Sequence, residues 1–233
     1  MCGRFAITMP PEAVRAFFDY VEQPNFPPRY NIAPTQPIPI VYARPHTRGE
    51  DRHFLLVRWG FLPGFVKDPK DFPLLINARG ETLLEKASFR AAVKRRRCLV
   101  IADGFYEWRR SANPKAPKQP FLIRRRDREP MGFAGLYETW SDPTGGEIDT
   151  ACIVTIGANR LMSGIHDRMP AMLAREAFSR WLDVDAVEAP EAALLLRPAP
   201  EDALELIPVS PAVNRVANDG AELQTPVGEP ARA

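Results

Sequence analysis

The sequence predicts an α+β fold in which a strand-rich, mixed or antiparallel, barrel-like sheet is flanked by short helices. Short apolar runs outnumber the segments with helical spacing, and they do not alternate with those segments as they would in a doubly wound fold. The 25 prolines among 233 residues divide the chain into many short elements joined by rigid turns. A chain of this length is sufficient for one sizeable domain.

The predicted strands are apolar, rich in β-branched residues and bounded by Pro, Gly or Asp, which is typical of strands in a folded sheet. They cover residues 38–42, 54–59, 99–102, 121–125, 132–137, 152–156 and 206–209.

The first predicted helix runs from Pro10 to about Tyr20, with proline at its start and Val14, Phe17 and Phe18 at helical spacing. Further helices are predicted over residues 88–96, 174–183 and 190–197, and an exposed loop over residues 111–119. Residues 217–233 lack periodicity and end in small and polar side chains, so we expect a disordered tail after a folded domain of residues 1–216.

Composition limits the classes of function. The net charge of +2 does not require a nucleic-acid partner. Three cysteines at wide spacing argue against a disulfide framework, and the three histidines show no ligand spacing with them, so neither a metal nor another cofactor is expected. We see neither a signal peptide nor an apolar run that could cross a bilayer. The sequence therefore predicts a reduced, cytoplasmic protein with no membrane partner.

Two basic runs, residues 94–97 and 124–126, adjoin apolar stretches. Such runs usually form solvated faces, and we expect at least one of the two to do so.

The second residue is a candidate nucleophile. Methionine before a small residue such as Cys2 is normally removed, which would place an α-amine beside a thiol. Their ordinary pKa values, about 7.7–8.0 and about 8.5, leave a fraction of each group nucleophilic at neutral pH. An aldehyde could then form a Schiff base with the amine and close a thiazolidine ring with the thiol. The alternative is that Cys2 packs as a small apolar residue.

Four polar segments lie at or just after predicted strands, where functional groups are often found. Singly, each has a plain structural interpretation. Glu107 could pair with an arginine, His166 could be a structural histidine, Asn77 could cap a turn, and Arg79 and Arg168 could be surface charges. The segments are residues 77–82, 103–108, 155–159 and 166–170.

Together with Cys2, these segments resemble the SOS response-associated peptidase (SRAP) family of abasic-site-processing proteins. Several unusual motifs occur in the family's order and span about residues 2–215. They are CGRF at 2–5, YNIAPT at 30–35, WG at 59–60, NARGET at 77–82, ADGFYEW at 102–108, GLYE at 135–138 and HDRMP at 166–170.

The resemblance implies a single SRAP-type domain that binds abasic sites in single-stranded DNA. Cys2 would form a covalent thiazolidine crosslink after removal of Met1, shielding the lesion from strand cleavage. Glu107 would serve as general acid or base near the amine, His166 would exchange a proton with the sugar, and Asn77 would bind the cysteine or the opened sugar.

Contacts to the DNA are expected from residues within or close to these motifs. Arg4, Arg79 and Arg168 are candidates for phosphate contacts, and Trp59 or Phe65 for contact with bases. With Gly3 and Thr155, the DNA-binding set is Gly3, Arg4, Trp59, Arg79, Thr155 and Arg168.

Other activities stay open at this point. The Schiff base could promote slow β-elimination, a lyase activity, and a thiol peptidase could use Cys2 with His166, acting on other chains or only in removing Met1. A noncatalytic single-stranded DNA binding module would not need Cys2, Glu107 and His166 together. We expect a monomer that joins the nucleoid when bound to DNA.

Overall fold

The computed structural model describes residues 2–109, 117–142 and 144–232. Within these residues the helices are short: α1 Pro11–Phe18, α2 Ala92–Arg95, α3 Arg160–Ser163, α4 Phe178–Leu182 and α5 Ala189–Ala193. The strands are β1 Phe5–Ile7, β2 Arg29–Ile32, β3 Pro37–Ala43, β4 Arg52–Trp59, β5 Asn77–Arg79, β6 Arg97–Ala102, β7 Gly104–Arg109, β8 Gln119–Arg125, β9 Met131–Ser141, β10 Glu147–Gly157, β11 Arg168–Pro170, β12 Met172–Leu173, β13 Leu204–Pro208 and β14 Ala231–Arg232.

Five strands close into a barrel in the order β10, β4, β3, β6, β9 and back to β10. The β3–β4, β3–β6, β6–β9 and β9–β10 pairs are antiparallel, and β10 runs parallel to β4. Closure satisfies the backbone groups that an open sheet would leave at its edges. The predicted α+β class with a mixed, barrel-like sheet is thus confirmed.

Aromatic side chains fill the core beside the barrel. Phe5 meets the ring of Trp59 edge-on at 5.1 Å between centroids, and Phe133 lies edge-on to both Phe5 and Phe105. All four side chains are buried. Edge-to-face pairs of this kind add about 0.5–1.5 kcal/mol each beyond the apolar area they bury. They fix the first strand against the barrel wall.

A second sheet, in the order β14-β13-β8-β7-β1-β2, carries the N-terminal strand in its interior. There β1 pairs with β7, with Phe5 opposite Phe105, and the amide of Tyr106 donates to the Arg4 carbonyl at 2.9 Å. The chain before Phe5 is therefore held beside β7 and close to the start of β5. This pairing places Cys2 in the site described below.

The helical predictions were confirmed in part. The predicted first helix corresponds to α1, whereas residues 88–91 form turns and only Ala92–Arg95 form α2. Of the predicted loop over 111–119, residues 111–116 lie outside the described part of the chain. In the described ranges, no helix is long and apolar enough to cross a membrane.

The predicted disordered tail is corrected by the structure. Residues 221–224 form a 3-10 turn, and β14 pairs with β13. The Asp219 carboxylate accepts hydrogen bonds from the amides of Tyr30 and Asn31, at 2.6 and 2.7 Å, and from Arg29 at 2.9 Å. Contacts between side chains and a distant strand leave no periodic pattern in the sequence, which is why composition alone suggested disorder.

Candidate active site

Asn77 begins β5 and binds the N-terminal segment. The strand runs parallel to β10, with Asn77 opposite Ile153. The Asn77 side-chain amide donates to the Cys2 carbonyl at 2.9 Å. Its Oδ1 atom is buried and has no hydrogen-bond partner among the described residues. An unpaired buried acceptor costs about 1–3 kcal/mol, so Asn77 Oδ1 is able to accept a hydrogen bond from a ligand that enters the site.

Cys2 is fully buried. Its Sγ lies 3.8 Å from the Arg4 carbonyl, a weak thiol hydrogen bond. Burial raises the pKa of the Cys2 thiol far above its ordinary value, and the negative charge of Glu107 raises it further. The thiol is therefore protonated at neutral pH, and its proton is available for transfer during addition to an electrophile.

Glu107 reaches the same place from β7. Continuing the β1–β7 register beyond Phe5 and Phe105 places Glu107 opposite Gly3, next to Cys2. The Glu107 side chain is only 3% exposed, and its negative charge contributes to the raised pKa of the Cys2 thiol. A buried carboxylate beside a nucleophile is suited to general acid–base chemistry.

His166 follows α3, and its amide donates to the Met162 carbonyl at 2.9 Å. Its Nδ1 accepts a hydrogen bond from the Arg168 amide at 2.9 Å and also lies 2.9 Å from the exposed Asp167 carboxylate. An amide donor requires a lone pair on Nδ1, so the neutral imidazole carries its proton on Nε2. In this tautomer His166 can donate a hydrogen bond through Nε2.

Arg168, at the start of β11, is bound in a fixed orientation. Its two terminal nitrogens form a bidentate pair with Glu81 at 2.6 and 2.8 Å, and Nη2 also donates to the Thr155 carbonyl at 2.5 Å. The Thr155 side chain is fully buried, so its role is to position Arg168 rather than to touch a ligand directly. The Arg168 Nε is buried with no partner among the described residues.

Arg79 lies beside this group. It ends β5 opposite Thr155 of β10. Its side chain is exposed, and within the described ranges it forms no ion pair. Of the three arginines predicted to bind phosphate, Arg79 is the most available for that contact.

Arg4 is held by other residues of the protein, and its contact with phosphate stays a prediction. Its Nη1 donates to Asn31 Oδ1 at 2.6 Å and to the Val213 carbonyl at 2.7 Å, and its Nη2 donates to the Asn214 carbonyl at 3.1 Å. The guanidinium therefore joins the first strand to the C-terminal segment. Gly3 is half-buried, and extending the β1–β7 register by two residues would place it opposite Glu107.

The prediction that Trp59 contacts bases is wrong. Trp59 is fully buried, packs against Phe5, and donates from its indole nitrogen to the Ile76 carbonyl at 2.9 Å. Its large apolar surface is part of the core, which is the usual position of tryptophan in a strand. Phe65, the other aromatic candidate, is 61% exposed and contacts Phe72 edge-on.

Comparison with known proteins identifies the family. The SOS response associated peptidase (SRAP) family profile matches residues 1–216. The chain belongs to the SRAP family. It is 38% identical over 232 residues to the abasic site processing protein YoqW of Bacillus subtilis, a match that covers 96% of this chain and 98% of YoqW. It is 33% identical over 264 residues to the abasic site processing protein HMCES of Gallus gallus, covering 97% of this chain and 78% of HMCES.

Solved structures share the SRAP fold. A protein from Bacteroides thetaiotaomicron superimposes with a TM-score of 0.85 at 25% identity, covering 97% of this chain and all of that one. A phage-related protein from Bordetella bronchiseptica gives a TM-score of 0.71 at 30% identity, covering 89% and 94% of the two chains.

Two SRAP-site residues were absent from the predicted set. Glu81 fixes Arg168, and Asn31 is buried and accepts from Arg4. Both stand inside the conspicuous NARGET and YNIAPT motifs, so a rule that pairs each motif arginine with a polar motif residue would have indicated them. Among the described residues there is no group of three or more His, Cys, Asp or Glu side chains that could hold a metal ion.

Proposed function

We propose that this SRAP protein binds abasic sites in single-stranded DNA and, after removal of Met1, forms a covalent thiazolidine adduct through Cys2. The observation that carries the proposal is the hydrogen bond from Asn77 to Cys2, together with the buried Glu107, which the β1–β7 register brings beside the same segment. Relatives named abasic site processing proteins support the choice of lesion.

The chemistry uses both nucleophiles of an N-terminal cysteine. The α-amine of Cys2 adds to the aldehyde carbon of the open-chain sugar, and loss of one water gives a Schiff base. The thiol sulfur then adds to the imine carbon, and the imine nitrogen takes up a proton while the thiol gives one up. The overall reaction forms one C–N and one C–S bond, releases one water, and requires no oxidant, metal or cofactor.

Glu107 transfers the protons in these reaction steps. It accepts a proton from the attacking amine and returns one to the departing hydroxyl or to the imine nitrogen. Because the thiol pKa is raised, the sulfur attacks as the sulfur–hydrogen bond is broken, with Glu107 nearby to take the proton.

Asn77 acts at the cysteine, and His166 acts at the sugar. The Asn77 amide holds the Cys2 carbonyl, which limits rotation of the nucleophile and raises its effective concentration. His166 donates from Nε2 to a sugar oxygen, favouring the open-chain aldehyde over the closed ring. The exposed Arg79 binds a flanking phosphate, and Arg168 can bind one only in competition with Glu81.

Burial of the Cys2 thiol disfavours a general thiol peptidase, because such an enzyme depends on a readily formed thiolate. The Schiff base can also lead to β-elimination, and rapid capture by the thiol suppresses that strand cleavage. A slow lyase activity is therefore a side reaction of the same intermediate.

The test mixes Met1-free protein with a single-stranded oligonucleotide that contains one abasic site and resolves the products on a denaturing gel. Wild type should give a heat-stable shifted band. Cys2→Ser should give none, but should form an adduct that borohydride traps and should cleave more strand, because its amine still makes the imine. Cys98→Ser, which changes another buried free cysteine, is the matched control and should behave as wild type.

A variant with one extra residue before Cys2 has no cysteine α-amine, so the amine and thiol cannot close a thiazolidine and the heat-stable band should be absent. A heat-stable band from Cys2→Ser or from the extended variant would contradict the proposal. So would the lack of a band from wild type whose mass shows that Met1 is absent.

A further inference from the structure

Residues 80–96 form a nearly continuous run of helical turns that begins directly after β5. Hydrogen bonds from the Lys86 amide to the Thr82 carbonyl, and from the Arg90 amide to the Lys86 carbonyl, give this run helical spacing before α2 starts. Phe89 and Val93 are buried on its inner side. The outer side carries Lys86, Arg90 and Lys94, at positions i, i+4 and i+8.

These three residues, here called the α2 stripe, are all exposed. Four residues of helix rise about 6 Å, so their backbones lie in a row of about 12 Å on one helical face. Ala87 and Ala91, small and exposed, stand between them and leave the row open to a close approach.

The stripe differs from the basic run seen in the sequence. In residues 94–97, Arg96 is paired with Glu138 at 2.8 Å, and Arg97 is buried, with its guanidinium bound to main-chain carbonyls. Only Lys94 and Arg95 of that run face solvent. The available charge therefore follows the helical face and not the consecutive run.

No stripe side chain forms an ion pair within the described ranges, although the acidic Glu85 is next to Lys86. Like charges at i, i+4 destabilise an isolated helix by about 0.2–0.5 kcal/mol per pair. A row of unpaired cations is complementary to a polyanion, whose binding would relieve that repulsion.

We propose that the α2 stripe binds the phosphate backbone of the single strand as it leaves the abasic-site pocket. This inference rests on the proposed function for the choice of DNA. The main support is continuity: Arg79 and Lys86 are separated by a 3-10 turn and one helical turn, in which the Leu83 amide donates to the Gly80 carbonyl. At about 1.5 Å per residue, the stripe itself spans about 12 Å, and Arg79 precedes it along the chain.

The test measures fluorescence anisotropy of the full chain with an undamaged 30-nucleotide oligothymidine at several salt concentrations. The stripe variant is Lys86→Gln/Arg90→Gln/Lys94→Gln. The control, Arg48→Gln/Lys118→Gln/Arg126→Gln, removes the same number of charges at exposed positions that form no ion pair within the described ranges. Each phosphate contact with a single strand adds about 0.7 to the slope of log K against log salt. We expect the stripe variant to lose about 2 from the slope and to bind at least tenfold more weakly at low salt.

The inference is overturned if the stripe variant keeps the wild-type slope and affinity, or if the control loses as much as the stripe variant. Because the oligonucleotide is undamaged, this result is independent of the covalent chemistry. Adduct formation with a short abasic oligonucleotide at saturating protein should be the same for wild type and the stripe variant. Failure of wild type in that second assay would count against the proposed function alone.

Discussion

The side-chain amide of Asn77 holds the main-chain carbonyl of Cys2 at 2.9 Å, across 75 positions of sequence. Asn77 is itself held by β5 against β10, the strand that closes the barrel. The residue proposed to react is therefore attached through one hydrogen bond to the most extensively paired part of the fold. This connection gives Cys2 a defined position beside the barrel.

Replacing Asn77 should slow adduct formation while leaving the fold intact. In Asn77→Ala the Cys2 carbonyl loses its donor, a change of about 1–1.5 kcal/mol, which corresponds to about a tenfold lower rate. The rate of heat-stable band formation, measured beside the thermal unfolding midpoint, checks this. A wild-type rate would show that the hydrogen bond does not position the nucleophile.

Removing Glu81 should strengthen noncovalent binding of single-stranded DNA. Its carboxylate occupies both terminal nitrogens of Arg168, the groups that a phosphate would bind. Glu81→Gln should raise affinity severalfold and steepen the salt slope by about 0.7. Glu85→Gln, which removes an exposed charge four residues away, is the matched control. Equal effects from the two variants would mean that net charge alone is responsible.

Two neighbouring arginines should differ sharply in their effect on stability. Arg97 is buried and donates to the carbonyls of Val93, Trp181, Asp183 and Val187. Arg97→Met leaves these acceptors unpaired and should lower the free energy of unfolding by about 3 kcal/mol or more. The exposed Arg95→Met should change it by less than about 0.5 kcal/mol. Denaturant unfolding of both variants tests the contrast, and similar midpoints would refute it.

Glu205 should make the protein sensitive to acid. It is 2% exposed and binds Arg124, Arg128 and Arg232. Burial alone would raise the pKa of Glu205, but hydrogen bonds from Arg124 and Arg232 outweigh burial and lower it. Since the folded-state pKa is below the unfolded value of about 4.3, the stabilisation is complete above that value and is lost as the pH falls through the folded-state pKa.

Glu205→Gln should therefore cost about 2 kcal/mol at pH 7, a drop of about 4–8 °C in melting temperature. The difference from wild type should shrink on acidification below about pH 4. Glu129→Gln, which removes an exposed partner of Arg125, is the control and should have little effect. A difference that persists unchanged at low pH would contradict the assignment.

The segment after residue 216 should contribute to stability. Asp219→Ala removes acceptors from the amides of Tyr30 and Asn31 and from Arg29, and should lower the free energy of unfolding by about 2–4 kcal/mol. Asp202→Ala, at an exposed position outside this contact, should have little effect. Calorimetry of the two variants measures this difference. Equal melting temperatures would mean that the segment after residue 216 does not contribute to stability.

The local sequence pattern was sufficient to predict many of the strands and the first helix. Short β-branched runs between prolines and glycines predicted β3, β4, β6, β8, β9, β10 and β13, and the proline-led amphipathic run predicted α1. These signals depend on neighbours within a few residues, which is the range over which side-chain alternation and turn chemistry operate. The motifs likewise indicated candidate site residues, without showing which of them contact one another. These residues are Cys2, Asn77, Glu107, His166 and Arg168.

The sequence by itself thus determined the strand-rich class, the short first helix and the family to which the chain belongs. The tertiary structure decided which of several similar side chains are exposed and available to contact a ligand. Arg79 is exposed while Arg4 is bound to residues more than 200 positions away, Trp59 lies in the core, and Arg97 is buried beside the exposed Arg95. The physical reason is that burial and long-range hydrogen bonding depend on how distant strands pair, and no local period records that pairing.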